Sequence, residues 1–260
     1  MRVSARCKHL LAAALFLATL CGCPRPQRIV PPAPQAAPSG GAAAEVPSVP
    51  ALHLGTPHGI LPQSSLLTVL VYRGGALASA GHNHVIASHD LSGTIYVTQP
   101  IMQSSFELHI PVATLTVDEA ALRAQQPAAE FPPDIPDGAK AGTRRNMLGD
   151  ALLDAQHNPE IVLQSLQLAP SGGAADAATV LVHVQSSVRG QLRTFTVPVR
   201  YRLSGNGTVE VSGEFPLRQT DLGLTPFSAL LGALQVQDEM RVSLHIVAQA
   251  AAPAARPGTR

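Results

Sequence analysis

Tryptophan is absent from this sequence, and aromatic residues make up only 3% of its 260 positions. The hydrophobic content of 45% is therefore mostly aliphatic, which is enough for a sizeable core but not for one built from large rings. Charged residues are also sparse, at 13%, and the net charge is only +1. Because a phosphate backbone is bound through clustered Lys and Arg, we set aside nucleic-acid partners.

Cysteine is confined to the start of the chain, at Cys7, Cys21 and Cys23. The rest of the sequence therefore has no disulfide, no thiol nucleophile and no thiolate metal ligand. Neither an HExxH zinc motif nor a Gly-x-Ser-x-Gly nucleophile elbow occurs. These missing signatures predict a protein that is not an enzyme and that has no catalytic residues.

The N-terminal apolar run is too short to span a membrane. It covers residues 10–20, about 11 positions, whereas a spanning helix needs roughly 20. It follows a positively charged start and ends in Leu20-Cys21-Gly22-Cys23, which resembles the lipobox of bacterial lipoproteins. Residues 1–22 are therefore predicted to be a lipoprotein signal peptide, and Cys23 to carry the acyl chains, palmitate among them. An ordinary signal peptide followed by a chance cysteine is the alternative.

Composition divides the remainder into three parts. Residues 23–63 are rich in Pro and Ala and are predicted to be a disordered tether, and residues 250–260 a disordered tail. Residues 64–249 have the length of one domain. The anchor would place this domain in the cell envelope, facing the periplasm and held at the inner or the outer membrane. The oligomeric state stays open, with a homodimer as one alternative.

Apolar and polar residues alternate along several segments of this domain, which is typical of half-buried antiparallel strands. The alternation is clear at residues 106–110, 180–184 and 195–201. Gly205-Asn206-Gly207 lies between two such segments and predicts a hairpin. The first strand, near residues 66–72, is apolar on both faces and is expected to be covered on both sides. The pattern predicts an all-β barrel or sandwich.

Two short helices are expected to interrupt the strands. Thr116 and Glu119 have the spacing of a capping box, which predicts a helix beginning near Thr116. A second helix is expected after Asn146 and as far as about Gln156, before Pro159. The Pro-rich residues 126–142 between them are interpreted as a surface loop.

The order of these elements resembles the YceI-like family of periplasmic polyisoprenoid-binding proteins. The resemblance extends from about Ser64 to Ala248. It is carried by Gly81-His82, Leu91-Ser92-Gly93-Thr94-Ile95, Phe106-Glu107-Leu108-His109-Ile110-Pro111-Val112-Ala113-Thr114-Leu115, Asn158-Pro159-Glu160-Ile161-Val162-Leu163-Gln164-Ser165, Val188-Arg189-Gly190-Gln191-Leu192, Phe195-Thr196-Val197-Pro198-Val199, Phe215-Pro216-Leu217-Arg218-Gln219-Thr220-Asp221-Leu222-Gly223-Leu224 and Val236-Gln237-Asp238-Glu239-Met240-Arg241-Val242. The resemblance implies an antiparallel, eight-stranded, lipocalin-like barrel with one or two short helices closing one end.

The resemblance also implies an apolar ligand, an isoprenoid or another lipid, inside the barrel, and no other cofactor. Alternate strand positions would then point inward and contact it. The predicted ligand-binding residues are Phe106, Leu108, Ile110, Ile161, Leu163, Val182, Val184, Phe195, Val197, Tyr201, Val242 and Leu244. The alternative is that these side chains pack against one another and leave no cavity.

His82 and His84 share one face if their segment is a strand. They are predicted to lie at the barrel rim and to bind a ligand head group. Two imidazoles at this spacing also suit a transition metal, although no third ligand is evident, and two exposed loop histidines are the third interpretation. Non-catalytic binding or carriage of an apolar ligand is thus the predicted function. The alternatives are a metal-binding envelope protein that uses this pair, and a purely structural surface module.

Overall fold

The computed structural model describes residues 53–172 and 178–251. The predicted signal peptide, Cys23, most of the tether and most of the tail lie outside the described residues. Among the described helices, none has both the length and the apolar composition required to cross a membrane.

Strands dominate the described chain, and they are joined by two α-helices and several short 3₁₀ turns. The strands are β1 (Thr56–Ile60), β2 (Leu66–Val71), β3 (Arg73–Gly74), β4 (His84–Ser88), β5 (Ser92–Val97), β6 (Ser105–Pro111), β7 (Thr116–Val117), β8 (Glu160–Pro170), β9 (Thr179–Val188), β10 (Gln191–Leu203), β11 (Thr208–Arg218), β12 (Ser228–Ala229), β13 (Leu234–Val236) and β14 (Glu239–Ala250). The helices are α1 (Ala120–Arg123) and α2 (Asp137–Leu148). The 3₁₀ turns are Pro62–Ser64, Ala78–Ala80, Ile101–Gln103, Val112–Thr114, Thr220–Leu222 and Leu230–Gly232.

Eight antiparallel strands close into a barrel in the order β1-β5-β6-β8-β9-β10-β11-β14, and β14 pairs back with β1. The second edge of β14 is shared by two partners. Its C-terminal end pairs with β1, where His58 lies opposite Ala250, and its N-terminal half pairs with β2, where Leu70 lies opposite Arg241. From β2 the sheet continues through β4 to β7. A smaller sheet is formed by β12, β13 and β3.

The sheet β2-β4-β7 is covered on both faces, as the apolar character of the first predicted strand indicates. Leu67 and Val69 of β2 pack into the barrel core. Leu70 points the other way, into a separate cluster with Leu122 of α1 and Phe131. The prediction that both sides of this strand are covered is therefore confirmed.

The hairpin predicted at Gly205-Asn206-Gly207 joins β10 to β11. Leu203 lies opposite Val209, and the amide of Gly207 donates to the carbonyl of Ser204 over 3.0 Å. Gly207 has a φ of +78°, in the left-handed region that glycine adopts without strain. The glycine is thus required by the turn itself, and the prediction is confirmed.

The N-terminal boundary of the domain lies earlier than predicted. Strand β1 falls inside residues 23–63, which were expected to be tether, and pairs with both β5 and β14. Only His58 and Ile60 are buried in it, and Gly and Pro surround them, so the alternation was too short to indicate a strand. At the other end, Ala250 is still part of β14.

Both helices differ from the sequence prediction. Thr116 does not cap a helix but lies in β7, and its hydroxyl donates to Glu119, the residue before α1. Helix α2 begins at Asp137 and ends at Leu148, so it occupies part of the predicted loop, and the predicted helix from Asn146 to Gln156 is wrong. The sequence of α2 contains two glycines and few apolar residues, so it lacks the apolar periodicity that would have predicted a helix. Tertiary contacts hold it, such as that of Arg144 with the Ala113 carbonyl, 2.7 Å away.

Candidate functional site

The inward-facing side chains of the barrel line a cavity of about 240 Å³. All of the residues predicted to contact a ligand line it, which are Phe106, Leu108, Ile110, Ile161, Leu163, Val182, Val184, Phe195, Val197, Tyr201, Val242 and Leu244. The polar side chains in the lining are Ser104, Ser105 and Tyr201. The barrel interior is thus not filled by its own side chains, contrary to the alternative of a solid core.

Short, β-branched side chains on facing strands explain why space remains. Val182 of β9 lies opposite Val197 of β10, and Val180 lies opposite Val199. An eight-stranded barrel is just wide enough for its side chains to fill it, and larger side chains at these positions would do so. Valine instead keeps the strands paired while leaving the centre open.

The sequence prediction missed part of the lining. Ile60 of β1, Leu67 and Val69 of β2, and Ile95 and Val97 of β5 all line the cavity. Strand β1 was assigned to the tether, and β2 is apolar on both faces, so parity did not show which residues point inward. The alternation of Ile95 and Val97 with Tyr96 would have revealed β5.

The two ends of the cavity differ in exposure. At one end, which we call the closed end, Leu91 is 0% exposed, and Leu153, in the turn after α2, belongs to the same buried cluster. At the opposite end, the open end, Leu203 lines the cavity and is 40% exposed. The open end is where β10 and β11 meet in their hairpin, and Val209, which lies opposite Leu203 and also lines the cavity, is 3% exposed.

His82 and His84 lie outside the lining of the cavity. His84 begins β4 and is buried, and its ring lies between two partners, the Asp118 carboxylate at 2.6 Å and the Thr143 hydroxyl at 3.0 Å. His82 is exposed, and its ring centroid is 6.1 Å from that of His84. A head-group role for this pair therefore has no geometric basis among the described residues.

A metal site at this pair is not favoured either. Both ring nitrogens of His84 already have protein partners. Within residues 53–172 and 178–251, no group of three His, Cys, Asp or Glu side chains has a metal-binding arrangement. Partial desolvation of its ring, followed by the neighbouring His84 and Arg123 side chains, lowers the pKa of His82.

Asp118 is the centre of a buried polar network outside the barrel. Its carboxylate accepts hydrogen bonds from Arg123 at 2.6 Å and from the Val85 amide at 2.9 Å, in addition to contacting His84. Burial raises the pKa of Asp118, but the hydrogen bonds from His84 and Val85 and the charge of Arg123 outweigh it, so the pKa is below its ordinary value. Arg123 also donates to the carbonyls of Asn83 and Pro132. This network ties α1 and α2 to β4.

The other described histidines also lie outside the lining of the cavity. His245 is exposed. His109 is half-buried between Glu107 at 2.8 Å and Glu160 at 3.1 Å, and the hydrogen bond to Glu107 raises the pKa of His109. His58 is buried in β1, and His53 stacks on Tyr96, so neither lies in a tether.

A closed eight-stranded antiparallel barrel around an apolar cavity is the architecture of lipocalin-like barrels. The family model of the YceI-like domain matches residues 74–248, more than half of the chain, and the chain therefore belongs to the YceI-like family. The fold class and the family expected from the sequence are confirmed.

The solved structures to which this chain is similar share little sequence with it. Burkholderia cenocepacia BcnA has 18% identity and a TM-score of 0.52, over 73% of this chain and 99% of BcnA. A polyisoprenoid-binding domain from Saccharophagus degradans has 11% identity and a TM-score of 0.47, over 75% of this chain and 98% of that domain. The Campylobacter jejuni YceI protein has 9% identity and a TM-score of 0.45, over 64% and 85%. No curated protein matches the chain.

Proposed function

We propose that the barrel binds or carries a long apolar molecule, an isoprenoid or another lipid, without catalysing a reaction on it. The observation that supports this most strongly is the cavity, whose lining is almost entirely aliphatic and aromatic. We also propose that a lipid on Cys23 holds the protein at a membrane of the cell envelope. The Leu20-Cys21-Gly22-Cys23 motif supports the anchor.

The chemistry of the cavity wall supports an apolar ligand over a polar one. Burying apolar surface yields about 25 cal/mol per Å², or about 0.8 kcal/mol for each methylene, so a hydrocarbon chain binds here without specific polar contacts. A charged or strongly hydrogen-bonding ligand would lose its hydration with few replacements, because only Ser104, Ser105 and Tyr201 contribute polar atoms to the wall. A polar head group would therefore remain at the open end.

Membership of the YceI-like family supports the choice of ligand class, since the resemblance implied a polyisoprenoid or a related lipid. The same wall supports a non-catalytic role. General acid–base or nucleophilic chemistry needs a positioned reactive group, and the described lining contains no Asp, Glu, His, Lys or Cys side chain.

The test is extraction of the natively purified protein with organic solvent, followed by mass spectrometry. We expect a long-chain apolar molecule in stoichiometric amount. Val182→Phe would place a ring in the cavity and reduce the amount of bound molecule, whereas Leu181→Phe, on the neighbouring outward-facing position of β9, would not. Equal ligand content in the two variants, or no apolar molecule in the unmodified protein, would contradict the proposal.

A further inference from the structure

Three leucines form an exposed apolar surface on the small sheet, which we call the leucine tip. Leu230 and Leu231 lie in the turn between β12 and β13 and are 67% and 108% exposed. Leu77, on the neighbouring loop, is 45% exposed, and its amide donates to the Ala233 carbonyl over 2.7 Å. The two loops are thus bonded together, and their leucines are exposed to solvent.

The backbone holds these leucines in an unusual conformation. Leu230 and Leu231 have φ angles of +51° and +56°, in the left-handed region that side chains other than Gly, Asn and Asp rarely adopt. Such a conformation is unfavourable for a leucine, and here no burial of the side chain compensates for it. Apolar side chains at an exposed and strained turn indicate that the turn is covered by something else.

Charge is sparse on this surface: Arg73 lies at the start of β3, where its guanidinium donates to the Gly81 carbonyl, and the loops that carry the leucines are uncharged. Residues 222–237 and 74–81 contain no Asp, Glu, Lys or Arg. A protein partner recognised by charge is therefore not favoured. An uncharged, aliphatic loop such as the leucine tip can instead insert through the head-group layer of a bilayer and contact the acyl chains. Each leucine buried there strengthens binding by about tenfold or more.

The chain outside the described residues supports a bilayer as the occupant. About 30 residues separate the proposed lipidation site Cys23 from His53, the first described residue. Even fully extended, they would span at most roughly 100 Å at about 3.3–3.6 Å per residue. The domain would therefore always be close to a membrane, and a weak contact becomes effective at such a high local concentration.

We propose that the leucine tip inserts into a lipid bilayer and holds the barrel against the membrane. The segment that carries the tip begins at Leu222 and Leu224, which line the closed end of the cavity. The closed end therefore faces the bilayer, and the open end remains accessible from the aqueous side. The proposal goes beyond ligand binding but uses the anchor of the proposed function.

The absence of tryptophan from the chain allows a direct test. We would bind the full lipidated protein to phosphatidylcholine vesicles with either Leu231→Trp or Leu54→Trp as its single tryptophan. Leu54 is a matched control, because it is 65% exposed, precedes β1 at the open end and is not part of the cavity lining. We expect a blue-shifted emission and quenching by brominated acyl chains for Leu231→Trp and neither for Leu54→Trp. Adding Leu230→Ser to Leu231→Trp should reduce the quenching.

Each other outcome overturns the proposal. Equal quenching at both positions means that the tip makes no particular contact, and quenching at Leu54→Trp alone means that the open end faces the bilayer. A blue shift that depends on protein concentration and not on vesicles means that the tip binds a second copy of the chain. Quenching that requires anionic lipid would indicate electrostatic binding at another surface. Ligand content measured on the same samples separates this proposal from that of ligand binding, which can fail independently.

Discussion

Replacing Asp118 by Asn tests whether the buried network outside the barrel stabilises the domain. The side chains of Asp118 and Arg123 are 0% and 1% exposed, and 2.6 Å separates the carboxylate from the guanidinium. Asn keeps the size of the side chain and can still accept from Arg123 and from the Val85 amide, but it leaves the guanidinium charge buried without a counter-charge. Breaking a buried ion pair in this way typically costs 3–5 kcal/mol. Because the shape and some hydrogen bonds remain, we expect about 3 kcal/mol.

The measurement is the free energy of unfolding in urea, followed by circular dichroism because the chain has no tryptophan. Asp90→Asn is the control, since Asp90 is exposed, and it should change stability by less than about 0.5 kcal/mol. Adding Arg123→Met to Asp118→Asn removes the unpaired charge and should recover part of the loss. A loss below about 1 kcal/mol for Asp118→Asn, or no recovery in the double variant, would refute the reasoning.

The pH dependence gives a second check on the same variant. The pKa of Asp118 is lower in the folded protein than its ordinary value of 3.8, so its ionised form stabilises the fold fully above that value. The contribution is lost only as the pH falls through the lower, folded pKa. The difference in stability between the unmodified protein and Asp118→Asn should therefore become smaller as the pH falls below 3.8.

Three further changes have expected outcomes. Gly93→Ala should cost about 2 kcal/mol or more in urea unfolding, because Gly93 has a φ of +129° and an added Cβ would lie 2.1 Å from the Glu107 carbonyl oxygen; Gly59→Ala, where a Cβ meets open space, is the control. His109→Gln should lower stability by about 0.5–1 kcal/mol at pH 5.5 and by less at pH 9. The reason is that the pKa of His109 is raised above 6.5 and the pKa of Glu107 is lowered below 4.5, so the ion pair contributes fully between pH 4.5 and pH 6.5 and is lost as the pH rises through the raised pKa of His109. Metabolic labelling with palmitate should be lost in Cys23→Ser and kept in Cys21→Ser. The reverse result would show that Cys21, and not Cys23, carries the lipid.

The interior of the barrel was predictable from the sequence because strand parity is a local property. A residue such as Val182 or Val197 points inward whenever its neighbours point outward, and this holds whichever strand it pairs with. The closure of the barrel was less accessible. It depends on β1, a short strand that contains Pro57 and Gly59. The sequence of β1 resembles that of the tether, and only its pairing with β5 and β14 shows that it is a strand.

The polar network and the leucine tip required the structure because they are made by residues distant in sequence. His84, Asp118 and Thr143 come from β4, the residue after β7 and α2, and no local pattern relates them. The Gly81-His82-Asn83-His84 motif instead suggested a ligand or metal site, since two histidines at alternate positions look available until their partners are known. Sequence spacing shows which side chains share a face, but only tertiary structure shows whether their polar atoms are already occupied.

The division between cavity and network suggests why the barrel can stay partly empty. A cavity in the core costs stability in proportion to its volume, on the order of 24 cal/mol per Å³ in a well-packed protein. Contacts outside the barrel offset such a cost, among them the Asp118–Arg123 pair and the apolar cluster around Leu70 and Phe131. The sheet β2-β4-β7 and its helices are therefore not an accessory to the barrel. They supply stability that the open interior lacks.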